Sequence, residues 1–292
     1  MNPVKMICLF FLSSLAIATT VPNESAAQPQ VNLGGTFVNF GISPPMFEIE
    51  IGKQNQLQAL RVENFGQDAL ELQVTVYNWE LDEQNQLKLM PPTEQSLDQW
   101  MFINPVRFRV EPGKTQAIRF SLRPKAAPTE GEHRAIMYVT DVTTPKDGRR
   151  NVAGSLGVAI YGYVGTVTRI GRLHGVAQEM TQDRLTFSFD ISSEGTAHVR
   201  MKGQYAIWKA AAYPGTAATT VDVELNKPDA ALPEGMLAAG PLPSLPVLPG
   251  TRRAIRLPLP QTLDAGQYIL DINGELSDAI LDTNLPFEIS QK

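Results

Sequence analysis

Cysteine is nearly missing from this chain: 292 residues contain one, Cys8. It lies in a stretch, 1–27, that reads as an export signal, so the mature chain is expected to have no disulfide, no thiolate metal site and no cysteine nucleophile. Histidine is almost as scarce. His133, His174 and His198 have no second histidine at metal-ligand spacing, and no HExxH pattern occurs. The GxSxG turn of serine hydrolases and the GxxxxGK loop of nucleotide-binding proteins are also missing. Gly154, Gly157 and Gly162 fall on a strand pattern with no helix after it. No motif gathers any of the 30 acidic residues into a catalytic pair, so they read as solvated carboxylates on strand faces and turns. The expectation is a protein that is not an enzyme and takes no cofactor or metal.

An excess of basic charge is missing too. Lys and Arg number 25 and the formal net charge is −5, which argues against nucleic acid as a partner. Long apolar runs are confined to ICLFFLSSLAIA at 7–18, behind Lys5 and ahead of the small residues SAA at 25–27. About 12 residues cannot span a bilayer, but they suit a cleaved signal, with a second cut position after Ala18. A polar leader, 28–40, would follow. The mature protein is expected to be exported, with no transmembrane segment.

No segment has a 3.6-residue apolar stripe. What the chain has is alternation: Leu60 and Val62; then Leu70, Leu72, Val74 and Val76; then Ile118, Phe120 and Leu122. Such runs recur at intervals of about ten residues between turns, in a chain with 22 Gly and 22 Pro residues. The fold class expected is all-β, with half-buried strands in antiparallel sandwiches.

One turn and strand is written twice. PGKTQAIRF at 112–120 returns as PGTRRAIRL at 249–257. VENFG at 62–66 precedes Trp79 by thirteen residues from its Gly, and ISSEG at 191–195 precedes Trp208 by the same thirteen. Gly131 with His133 and Gly266 with Tyr268 open a later strand in each half. The matches keep their order at offsets of 129, 137 and 135 residues, which implies two copies of one strand plan. The copies are placed at 41–165 and 166–292, two immunoglobulin-like domains in tandem. Trp79 and Trp208 are expected between the sheets of each, while Trp100 falls in a loop-like region. The six prolines of 226–250 suggest a long loop or an edge segment.

NPVRFRVEPGKTQAIRF at 104–120, followed by PTEGEHRAIMYVTDVTTP at 128–145, resembles the PapD-like family of periplasmic pilus-assembly chaperones. GISPPMFEIEIG and LRVENFG resemble that family's first two strands. The likeness is good over 41–165 and looser over 166–292. It implies two sandwiches with a cleft between them, a periplasmic location, and exported pilus or fimbrial subunits as partners beside an outer-membrane usher. It also implies a mechanism, in which the chaperone lends an incomplete subunit the strand it lacks. The lent strand would be SLGVAIYGYVG at 155–165, with Leu156, Val158 and Ile160 as the inserted side chains. The opposite face of that strand carries Gly157, Ala159, Tyr161 and Tyr163, and a one-residue change of register exchanges the two sets. The Lys146, Arg149 and Arg150 loop before it reads as a solvated tip.

This chain departs from the family at the basic pair that holds a subunit's terminal carboxylate. The corresponding positions carry Phe47 or Glu48, and Tyr163 or a neighbouring Gly, none of them a cation. Arg61 and Arg169 are the arginines that could stand in. The alternative function is a PapD-like binding or structural module of a surface assembly that no longer delivers subunits.

Overall fold

A computed structural model describes residues 38–52, 57–143, 154–181, 184–216, 232–259 and 263–290. The expected export signal, most of the leader, and Lys146, Arg149 and Arg150 lie outside the described residues. Among those described there are strands, turns and short pieces of 3-10 helix, and no helix is long and apolar enough to cross a membrane.

The first half carries β1 Phe40–Ser43, β2 Met46–Glu50, β3 Gln58–Asn64, β4 Leu70–Leu81, β5 Leu87–Met90, β6 Met101–Asn104, β7 Arg107–Val110, β8 Thr115–Leu122, β9 Gly131–Asp141 and β10 Ser155–Val164. One sheet runs β1-β3-β8-β6; the other runs β2-β10-β9-β4-β5, with β7 also on β4. The second half carries β11 Gly171–Thr181, β12 Arg184–Ser193, β13 Met201–Lys209, β14 Met236–Pro241, β15 Arg252–Pro258, β16 Gly266–Leu276 and β17 Ala279–Ile289. Its sheets run β11-β12-β15 and β14-β13-β16-β17. Among the described residues no sheet draws strands from both halves, so the protein is all-β with two sandwiches in sequence.

Alternation builds both cores. Leu60 and Val62 of β3 meet Ile118 and Phe120 of β8 and Met137 of β9 in the first. Phe187, Phe189 and Ile191 of β12 meet Leu270 and Ile272 of β16 in the second. The Pro-rich stretch provides β14, an edge strand, where a residue without an N–H is tolerated.

The repeated turn has one geometry in both places. Lys114 N–H donates to Glu111 O at 3.0 Å and Thr251 N–H to Leu248 O at 3.1 Å. Gly113 and Gly250 have φ of 65° and 70°. Pro in the second position and a left-handed Gly in the third make both type II turns. Gly113 N–H then donates to Asn64 O at the end of β3, and Gly250 N–H to Ser193 O at the end of β12, each at 2.9 Å. These matching bonds tie the two halves of the sequence echo to one structural plan.

The tryptophans differ from the sequence expectation. Trp79 and Trp208 are buried, at 4% and 5% exposure, yet neither joins an inter-sheet core. Along β4 the inward residues are Leu70, Leu72 and Val74, and Trp79 has the opposite parity, so its ring lies on the sheet's outer face. Trp208 sits correspondingly on the outside of its sheet, against Tyr213 and Met236. Trp100, in the 3-10 turn Leu97–Trp100, is the fully buried one. It packs in the first core, and its Nε1 donates to Glu94 O at 2.8 Å.

Candidate functional site

The strand singled out in the sequence, β10, has one complete neighbour and one partial neighbour. β9 pairs with it antiparallel along its whole length, from Ser155 opposite Thr140 to Val164 opposite Gly131. On the other side β2 pairs in parallel from Ala159 opposite Met46 to Tyr163 opposite Glu50. β1 pairs with β3 in the other sheet, so the chain changes sheets at the Ser43–Pro44 bond, and β2 reaches β10 only at its midpoint. Ser155–Val158 therefore keep an open side among the described residues. Ala159 N–H points to β2, donating to Pro45 O at 3.3 Å. Alternation then turns the N–H and C=O groups of Ser155 and Gly157 toward the open side. Gly157 is exposed and offers no side chain to obstruct approach.

The side chains fall in one register. Val158 and Ile160 have no exposure and sit in the first sandwich's own core, with half-buried Leu156 packed against that core. The set proposed from the sequence as donor residues thus faces inward in the free protein. From the opposite set, Tyr161 and Tyr163 face the second sandwich: they are buried with Trp79 and Ile136, and Ala197 and Leu248 cover them.

Beside these tyrosines a polar network joins the halves. Glu132 of β9 accepts two hydrogen bonds from His198, from its backbone N–H at 2.8 Å and its Nδ1 at 2.6 Å. Arg134 Nη1 holds the other carboxylate oxygen at 3.0 Å. Arg200 Nε donates to His198 Nε2 at 3.0 Å, and Nδ1 is left to donate to Glu132. The Arg200 guanidinium continues to Tyr161 Oη at 2.9 Å, Ser244 O at 2.6 Å and Met46 Sδ at 3.4 Å. Burial pushes the Glu132 carboxyl up, but the hydrogen bonds and charge of His198, with a smaller pull from Arg134, outweigh it and hold it below the usual range. Burial raises the Tyr161 hydroxyl to about 12 against the pull of Arg200. A second junction lies at the β4–β5 turn, where Arg253 donates to Asp82 O and, at 2.5 Å, to Leu81 O. Asn85 Nδ2 donates to Ala254 O at 2.8 Å.

The positions of the missing cation pair now have occupants. Phe47 is a core residue, edge-on to Phe120 at 5.0 Å between ring centres. Glu48 faces outward and lies 3.5 Å from Arg169, whose guanidinium also covers the Tyr163 ring at 4.8 Å. Arg169 thus reaches this corner, and Arg200, which the sequence did not single out, reaches it too. Arg61 does not; it projects from the outer face of the other sheet. Among the described residues no group of three or more His, Cys, Asp or Glu side chains could hold a metal.

No protein-family model matches the chain, and no curated protein matches it. Solved structures similar to it include the CsuC–CsuE chaperone and tip-adhesion subunit complex of Acinetobacter baumannii, at 11% identity and a TM-score of 0.43 over 85% of this chain and 98% of that one. The class 5 fimbriae chaperone CfaA is 10% identical, with a TM-score of 0.41 over 87% and 100% of the two chains. The complex of Salmonella enterica SafA pilin with the SafB chaperone gives 10% and 0.41 over 87% and 98%. All three are solved structures of fimbrial or pilus chaperones, alone or with a subunit.

Proposed function

We propose that the protein is a periplasmic, non-catalytic chaperone that holds exported pilus or fimbrial subunits by lending them a strand. The boundary between its two domains falls in the 165–170 segment that joins β10 to β11. The observation that carries the reading is the half-covered edge of β10. Within Ser155–Val158, Ser155 and Gly157 turn backbone groups to a side with no strand partner among the described residues, and the strand continues into a buried apolar core. A subunit strand laid along this edge gains main-chain hydrogen bonds from Ser155 and Gly157. Its inward side chains extend the apolar layer begun by Leu156, Val158 and Ile160. Binding also hides an edge that would otherwise recruit other strands.

The test uses two substitutions of Gly157. Gly157→Pro removes the outward N–H and places a ring on the open side. Gly157→Ala adds a Cβ 3.1 Å from the movable tips of Ile136 and Tyr138 but keeps the N–H. Co-purification of an exported subunit from the periplasm is expected with the wild type and Gly157→Ala, and not with Gly157→Pro. Recovery of no such subunit with the wild type sinks the reading.

A second reading, a binding or structural module that delivers no subunits, is favoured by the corner itself. Glu48 pairs with Arg169, and the places of the family's cations fall to Phe47 or Glu48 and to Tyr163 or a neighbouring Gly, none of them a cation. Secretion of a subunit that depends on this protein would exclude it.

A further inference from the structure

Away from β10, the sheet β1-β3-β8-β6 turns a basic face outward. Arg61 of β3 stands opposite Ser43 and Ala117; Arg119 of β8 stands opposite Ala59 and Asn104. The two arginines are diagonal neighbours, about 7–8 Å apart along the sheet, with small residues between them. Arg123 extends the row just past β8, its guanidinium 5.2 Å from the ring of Phe102, which is 50% exposed. Several exposed strand arginines elsewhere have carboxylates of their own: Arg109 has Glu111, Arg172 has Glu194, and Arg252 has Asp190. Arg61, Arg119 and Arg123 have none among the described residues. Beside Arg61 the face sinks into a hollow of about 530 Å³. One wall is Phe65, 67% exposed, whose ring lies so close over Gly41 that a Cβ there would come within 2.7 Å of it.

We propose that this face docks a short acidic segment of a partner protein, with carboxylates on Arg61, Arg119 and Arg123 and an apolar side chain against Phe65 or Phe102. Guanidinium forks match carboxylates in pairs, and three gathered on one face without a carboxylate among the described residues, on a chain of net charge −5, are a local feature rather than a general field. The overall negative charge opposes an anionic membrane or a nucleic acid at long range. Glu63, which also lines the hollow, disfavours a uniform polyanion and suits a polypeptide of mixed character. The face belongs to a different sheet from the β10 edge, so a partner here leaves that edge free.

The experiment measures fluorescence anisotropy of the full mature chain with a labelled seven-residue peptide alternating glutamate with phenylalanine or serine. Its glutamine counterpart and vesicles of anionic phospholipid serve as comparisons. Expected is binding of the glutamate peptide alone, weakened by salt, and reduced about tenfold or more by Arg61→Gln with Arg119→Gln. Both positions are exposed, so an unchanged melting temperature separates lost binding from lost folding. Equal binding of the glutamine peptide, full binding by the double variant, or stronger vesicle binding through the same arginines would overturn the proposal. So would a concentration-dependent dimer abolished by these substitutions, because the occupant would then be a second copy.

Discussion

Glu132 and His198, 66 residues apart, meet at 2.6 Å across the junction of the two sandwiches, and both side chains are almost without exposure. Because the pair is buried, removing one member leaves the other with unsatisfied charge or hydrogen bonds. His198→Ala is expected to cost about 3 kcal/mol, more than an exposed pair such as Lys88–Glu80 would. Denaturant midpoints of the two single variants measure the difference, and a loss under 1 kcal/mol for His198→Ala would count against the junction.

The same carboxylate sets a pH dependence. Its ionisation is favoured in the folded state, so its contribution is present above its ordinary value of 4.5 and is lost as the pH falls through the lower folded value. Thermal midpoints should therefore drop from pH 6 toward pH 3 by more in the wild type than in Glu132→Gln. Parallel curves for the two proteins would refute this.

Trp79 lies between the halves and Trp100 inside the first core, so their truncations should differ in kind. Trp100→Ala removes a fully buried ring and should cost about 3–5 kcal/mol in the first sandwich. Trp79→Ala should instead loosen the contact with Ala197 and Leu248, seen as faster proteolytic cleavage in the 165–170 segment.

The paired turns predict paired effects. Nothing lies within 4 Å of a Cβ added at Gly113 or Gly250, so alanine costs only the left-handed backbone, about 1–2 kcal/mol at either place. Differing losses by chemical unfolding would show that the turns are not equivalent.

Arg253 tests the second junction. Its two donors hold the carbonyls of Leu81 and Asp82, and a lysine, with one compact ammonium, cannot reproduce that fork. Arg253→Lys should speed amide hydrogen exchange across the β4–β5 turn while leaving the β15–β12 ladder protected.

Much of the fold is visible in residue order because alternation and turn chemistry are local. Leu60 with Val62, Ile118 with Phe120, and the two Pro-Gly turns are where the pattern puts them. The place of Trp79 is legible as well, in its odd parity against Leu70, Leu72 and Val74, but the immunoglobulin-like strand plan pointed to the core. The register of β10 was not legible, because both faces of that strand are apolar or small. The face that meets the core is decided by β9 and β2, which lie elsewhere in the sequence. Glu132, His198, Arg200 and Arg253 were hidden for a related reason. Each is a single polar residue on a strand, and its partner is fixed only when two sandwiches meet.

The midpoint arrival of β2 also acts as a ruler. A strand added along β10 from Ser155 can pair past only four residues, about 13 Å, before Pro45 and Met46 block its path. Under the proposed function, the first sandwich therefore limits how far a guest strand can run toward the second, and it does so with its own chain.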